Sequence, residues 1–139
     1  MKTINGIKCR TRNESLKHII EQTKAGKVGP KSSDQHVMFG DLCSYQYESG
    51  NNCAVGCLFT KEQLKWIDDR LLNNTDILDL SQRVSVENIE AVTGIPLTTL
   101  YDIQCEHDDI LACEMDPEQR KIAQQKFIKY IESLLEESK

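Results

Sequence analysis

The sequence predicts an α+β fold that is mainly α, a compact helical domain with a short antiparallel β hairpin. Three observations carry that expectation. Apolar residues recur at helical spacing through several segments, each bounded by capping or breaking residues. A run of β-forming residues, broken by a Gly-Asp pair, lies between residues 36 and 47. The chain has 139 residues, 39% of them hydrophobic and 28% charged, which suits one soluble domain over residues 1–139 with one core.

The elements follow in order. Residues 1–13 form a basic N-terminal segment. Glu14 to Ala25 reads as an amphipathic helix with Leu16, Ile19 and Ile20 on one face, Asn13 as its cap and Gly26 as its end. Gly26 to Asp34 is a loop rich in Gly, Pro and Ser. His36 to Tyr47 holds Val37, Met38, Phe39, Leu42, Tyr45 and Tyr47, with a break at Gly40-Asp41, and reads as the hairpin. Residues 53–59 are apolar and fit either strand or helix. Thr60-x-x-Gln63 is a capping box that opens a helix with Leu64, Ile67 and Leu71 inward, Trp66 and Leu72 flanking, and Asn73-Asn74 at its end. Ile77 to Val84 fits a short helix or a strand. Ser85 caps a helix that runs through Val92 and stops at Gly94, and Pro96 starts another from Leu97 to about Ala112. Asp116-Pro117, with Gln119, opens the last helix, whose inward stripe is Ala123, Phe127, Tyr130, Ile131 and Leu134. Residues 136–139 are a polar tail expected to fray. In all, about half the chain reads as helix.

Charge and composition narrow the function classes. The net charge is −5, yet residues 1–31 hold eight Lys/Arg against two acids, whereas residues 32–139 hold nine against twenty. The basic stretch either folds onto the chain's own acidic body or meets an anionic partner such as nucleic acid. Its helical spacing and lack of aromatics favour the first. No apolar run is long enough for a membrane span, and no secretory h-region follows Met1, so the expected setting is cytoplasmic, without a membrane partner. The six cysteines are then expected as free thiols. The phosphate-binding Gly-rich loop, the Gly-x-Ser-x-Gly elbow and His-Glu-x-x-His are all missing from the sequence, so nucleotide hydrolysis, serine hydrolysis and zinc-protease chemistry have no support in it.

Two stretches could carry chemistry. Cys43, Cys53 and Cys57 fall within fifteen residues, around Gly50-Asn51-Asn52. If residue 53 starts a helix capped by Asn51 or Asn52, Cys53 sits in its first turn, where unpaired N–H groups favour a thiolate. Gly56 would admit the close approach of another backbone or a ligand, and Cys57 lies one turn on from Cys53. In the second stretch, Leu97, Leu100, Gln104, His107 and Leu111 share a helical stripe that turns Gln104 and His107 inward. A catalytic reading takes Cys53 as nucleophile, His107 as base, and Asp108 or Gln104 to orient the ring. A metal reading gives zinc the ligands Cys43, Cys53, Cys57 and His107, although the C-x9-C-x3-C spacing lacks the usual C-x2-C knuckle. The plainer readings are a buried hydrophobe for Cys53, a backbone-bonded core residue for His107, a helix–loop tie for Gln104 and a solvated residue for Asp108. Cys9, Cys105 and Cys113 belong to no motif, and His18 and His36 have no sequence neighbour that suggests a role.

Cys43-x-Tyr45, the turn glycine Gly50, Cys53-Ala54-Val55-Gly56-Cys57-Leu58 and Ile103-Gln104-x-x-His107-Asp108 together resemble a widespread set of small uncharacterised phage and bacterial proteins. The resemblance covers roughly residues 14–112. It departs after the cysteine block, where Phe59-Thr60 stands in place of the usual Ile-Pro. It implies a phage-type accessory protein and a common fold, and no particular reaction. The leading expectation is therefore a protein that binds a host or phage macromolecule, most simply another protein. The alternatives are a Cys–His hydrolase or transferase and a zinc-stabilised binding module.

Overall fold

The computed structural model describes residues 10–29, 45–47, 50–70, 72, 75–112 and 117–137. The fold is mainly helical, at 73% helix. The helices are α1 (Arg12–Lys24), α2 (Lys61–Asp69), α3 (Ile77–Arg83), α4 (Val86–Thr93), α5 (Leu97–Glu106) and α6 (Pro117–Glu137). A 3-10 turn at Gly56–Leu58 precedes α2, and a π-helical turn at His107–Ala112 follows α5.

The predicted hairpin lies mostly outside the described residues. Tyr45 to Tyr47, its last three positions, form a bend. Among the described residues the β pairing is an isolated parallel bridge between Val28 and Asn52. Residues 77–83, which fit helix or strand, are helical. Asp76 caps them by accepting the Asp79 N–H at 2.8 Å.

Helix boundaries show where local chemistry decides. The Thr60/Gln63 box forms in both directions: Thr60 Oγ1 accepts the Gln63 N–H, and Gln63 Oε1 accepts the Thr60 N–H. Helix α1 starts earlier than expected. Its cap is Thr11 rather than Asn13, with Glu14 closing a second box of the same type. Helix α2 stops at Asp69, short of Asn73-Asn74, and the inward position assigned to Leu71 lies outside the described residues. The single helix expected over 97–112 divides at His107 into α5 and the π turn.

Helix α1 packs on α6 and on the 3-10 turn, α3 packs on α5 and α4, and the π turn packs between α5 and α6. The core runs through every element, from Leu16 and Ile19 of α1 through Leu100 and Ile103 of α5 to Phe127 and Ile131 of α6. The inward stripe read for α6 holds at Ala123, Phe127, Ile131 and Leu134, and Tyr130 is half-buried.

The entrance to α1 is strapped across the end of α4. Gly94 ends α4 in the left-handed conformation (φ 69°), and the Arg10 N–H donates to the Val92 carbonyl at 2.9 Å. A Cβ on Gly94 would lie 2.4 Å from the Arg12 nitrogen and 2.5 Å from the Thr11 carbonyl carbon, both backbone atoms. Gly94→Ala therefore combines a strained φ with a backbone clash. It is expected to cost more than about 2 kcal/mol in denaturant unfolding. Gly50→Ala, also at positive φ but in open space, should cost about 1 kcal/mol.

Candidate functional site

The cysteine segment folds as a turn rather than as the start of an α-helix. Cys53 to Phe59 are all buried. The Cys53 sulfur accepts the Gly56 N–H at 3.3 Å and so caps the 3-10 turn itself. The Cys57 thiol donates to the Ala54 carbonyl at 3.0 Å. Burial pushes the Cys57 thiol well above the ordinary cysteine range. Cys53 adds to that rise, and Arg10 opposes it. Asn51 and Asn52 do not cap a helix here. The Asn51 side-chain amide donates to the Gly26 and Gly29 carbonyls, each at 3.0 Å. The backbone of Asn52 pairs with Lys27 and Gly29, and its side chain donates to the Tyr45 carbonyl at 2.7 Å. The two asparagines thus fasten the loop after α1 to the cysteine turn.

Gly56 does admit a backbone, that of Tyr45. A Cβ on Gly56 would lie 2.2 Å from the Tyr45 carbonyl oxygen. The Tyr45 ring stands edge-on to Phe59 at 6.0 Å, and its hydroxyl accepts from Gln104 Nε2 at 3.4 Å. Gln104 is buried, as the helical stripe requires, and its Oε1 accepts the Ile77 N–H at 2.7 Å. One side chain thus satisfies a first-turn donor of α3 and reaches the cysteine layer through Tyr45. Gln104 is a helix–loop tie.

His107 is fully buried at the start of the π turn. Its Nδ1 lies 3.1 Å from Asp108 Oδ1, and its ring stands edge-on to Phe127 at 6.0 Å. An ionised carboxylate can only accept, so Nδ1 donates this hydrogen bond and the ring's other nitrogen is Nε2. That atom is buried without a hydrogen-bond partner among the described residues. The structure therefore joins His107 to Asp108, while no hydrogen bond joins Cys53 to His107 among the described residues. Cys43 lies outside the described residues, and among those described no group of three His, Cys, Asp or Glu is placed to hold a metal. A hollow of about 270 Å³ between the π turn and α6 is lined by Asp109, Ile110, Gln119, Ile122, Ala123 and Lys126, and by none of the predicted site residues.

The histidine at the cysteine turn is His18. Its Nε2–H donates to the Cys57 carbonyl at 3.1 Å, and Arg10 Nη1 donates to the Leu58 carbonyl at 2.6 Å. Sequence distance conceals both contacts, because the partners lie 39 and 48 positions away.

A second cluster forms on the other side of α5. Tyr101, Cys105 and Tyr130 are partly exposed, with Asp76, Asp102, Glu106 and Glu137 around them. The Tyr130 hydroxyl is pushed up to about 12 by burial and then by Asp102, Glu106 and Glu137. Tyr101 is raised first by a hydrogen bond with Cys105 and by the electrostatic influence of that side chain, then by burial, Asp76 and Asp102. Sequence reading left this cluster unmarked, although Tyr101, Asp102, Cys105 and Glu106 share one helix.

No family profile, curated protein or solved structure matches the chain.

Two outcomes test this geometry. Under native conditions an alkylating reagent should modify Cys105 far faster than Cys53 or Cys57, read by peptide mass spectrometry over time. Gln104→Leu should destabilise the fold by about 1–3 kcal/mol, because the Ile77 N–H loses its buried acceptor. Equal alkylation rates, or a neutral Gln104→Leu, would contradict these assignments.

Proposed function

We propose that the protein is a small phage-type accessory protein that binds a basic protein partner of the host or phage through the face formed by α5, the start of α3 and the end of α6. The observation that carries this reading is the charge around Tyr101 and Tyr130. Among the described residues, the carboxylates that act on these hydroxyls are those of Asp76, Asp102, Glu106 and Glu137. Such a face attracts Lys and Arg side chains over long range, and the half-exposed rings offer them cation–π contacts. The face also belongs to the acidic part of the chain, residues 32–139.

The basic segment supports a protein partner over nucleic acid. Two of its arginines are engaged within the chain, Arg10 on the Leu58 carbonyl and Arg12 on the Leu134 carbonyl. The Cys–His hydrolase or transferase reading draws support from the His107–Asp108 pair, but the burial and hydrogen bonding of Cys53 weigh toward a structural thiol.

A Lys/Arg-rich peptide titrated into the protein, followed by NMR, tests the proposal. The resonances of Tyr101, Tyr130 and Cys105 should shift, and the affinity should fall at least about tenfold when Asp76, Asp102, Glu106 and Glu137 are changed to their amides. Binding should survive Cys53→Ser. Equal binding by the neutralised variant would overturn the assignment of this face.

A further inference from the structure

Arg10 and His18 act on consecutive carbonyls, those of Leu58 and Cys57, at the end of the 3-10 turn. Terminal carbonyls of this kind gather negative partial charge and attract cationic donors. Arg10 is always charged, whereas the imidazole charge changes with pH. Burial disfavours the charged ring most, and Arg10 adds to that. The hydrogen bond to the Cys57 carbonyl and Glu21, one turn along α1, oppose them. Among the described residues, Arg10 and Glu21 are the charges that act on this ring, and the Cys57 thiol beside it is held neutral by burial.

The two donors differ in freedom. His18 stands within α1, whose face is packed on α6 and on the turn. Arg10 precedes the helix and reaches the turn with a long, flexible side chain. When both carry charge, Arg10 is the one able to leave.

We propose that Arg10 and His18 form a proton-operated latch on the cysteine turn. With His18 neutral, Arg10 seats on the Leu58 carbonyl; with His18 protonated, that seat weakens and the chain's entry into α1 loosens. The sign follows from the lowered basicity of the folded ring. The stability tied to neutral His18 is complete above its ordinary value of 6.5 and is lost as the pH falls through the lower folded value. Coupling is reciprocal, so removing Arg10 must make His18 easier to protonate.

The test uses the full chain. The His18 ring is titrated by NMR in the wild type and in Arg10→Gln. Backbone hydrogen exchange at residues 10–12 is followed in the wild type and in His18→Gln, with residues of α5 and α6 reporting whether the fold as a whole persists. Arg10→Gln is expected to raise the His18 midpoint by about half a pH unit, a coupling of about threefold. Wild-type exchange at residues 10–12, divided by the intrinsic rate, should rise about threefold below the midpoint and stay flat in His18→Gln. An unmoved midpoint in folded Arg10→Gln, or the same exchange profile in wild type and His18→Gln, would overturn the latch.

Discussion

The contact between the backbone of Tyr45 and the face of Gly56 is the constraint on which the centre of the molecule depends. It exists because residue 56 has no side chain, and it places one tyrosine where four groups can use it. Gly56 meets its carbonyl, Asn52 donates to that same carbonyl, Phe59 packs against its ring, and Gln104 reaches its hydroxyl. Gln104 in turn holds the first turn of α3. A missing methyl group on the cysteine turn thus helps to set where α5 and α3 lie. Cys53 and Cys57 take part mainly as small groups that fill and cap the turn, with their sulfurs bonded to its own backbone.

The fold was legible where information is local. Capping boxes, the left-handed glycine after α4 and the apolar stripes of α1, α2 and α6 depend on residues within a few positions of one another. The Thr11/Glu14 box was equally readable, and Asn13 was an inferior candidate for the cap because it lacked a partner three residues on. The π turn was not legible. Its sequence continues the helical stripe through His107, and only packing against α6 reveals that the winding changes there.

The candidate site was legible in part for the same reason. Helical phase correctly turned Gln104 and His107 inward, and adjacency brought Asp108 to His107. Glycine chemistry foretold a close approach at Gly56 without naming Tyr45 as the neighbour. What sequence could not show was which histidine meets the cysteine turn, because the choice between His18 and His107 depends on how α1 lies across the turn. The acidic face was hidden by its make-up. Asp76, Asp102, Glu106 and Glu137 come from three helices or their caps, and no linear window contains them.

The docking of α1 bears on the order in which the chain can assemble during synthesis. The first helix is held by contacts to late residues: Ser15 to the Thr93 carbonyl, 78 positions on, and Arg12 to the Leu134 carbonyl, 122 positions on. A ribosome adds about 5–20 residues per second, so α1 waits for seconds before its C-terminal neighbour exists. During that interval Leu16, Ile19 and Ile20 have no α6 to pack against, and the nascent chain carries an uncovered apolar stripe.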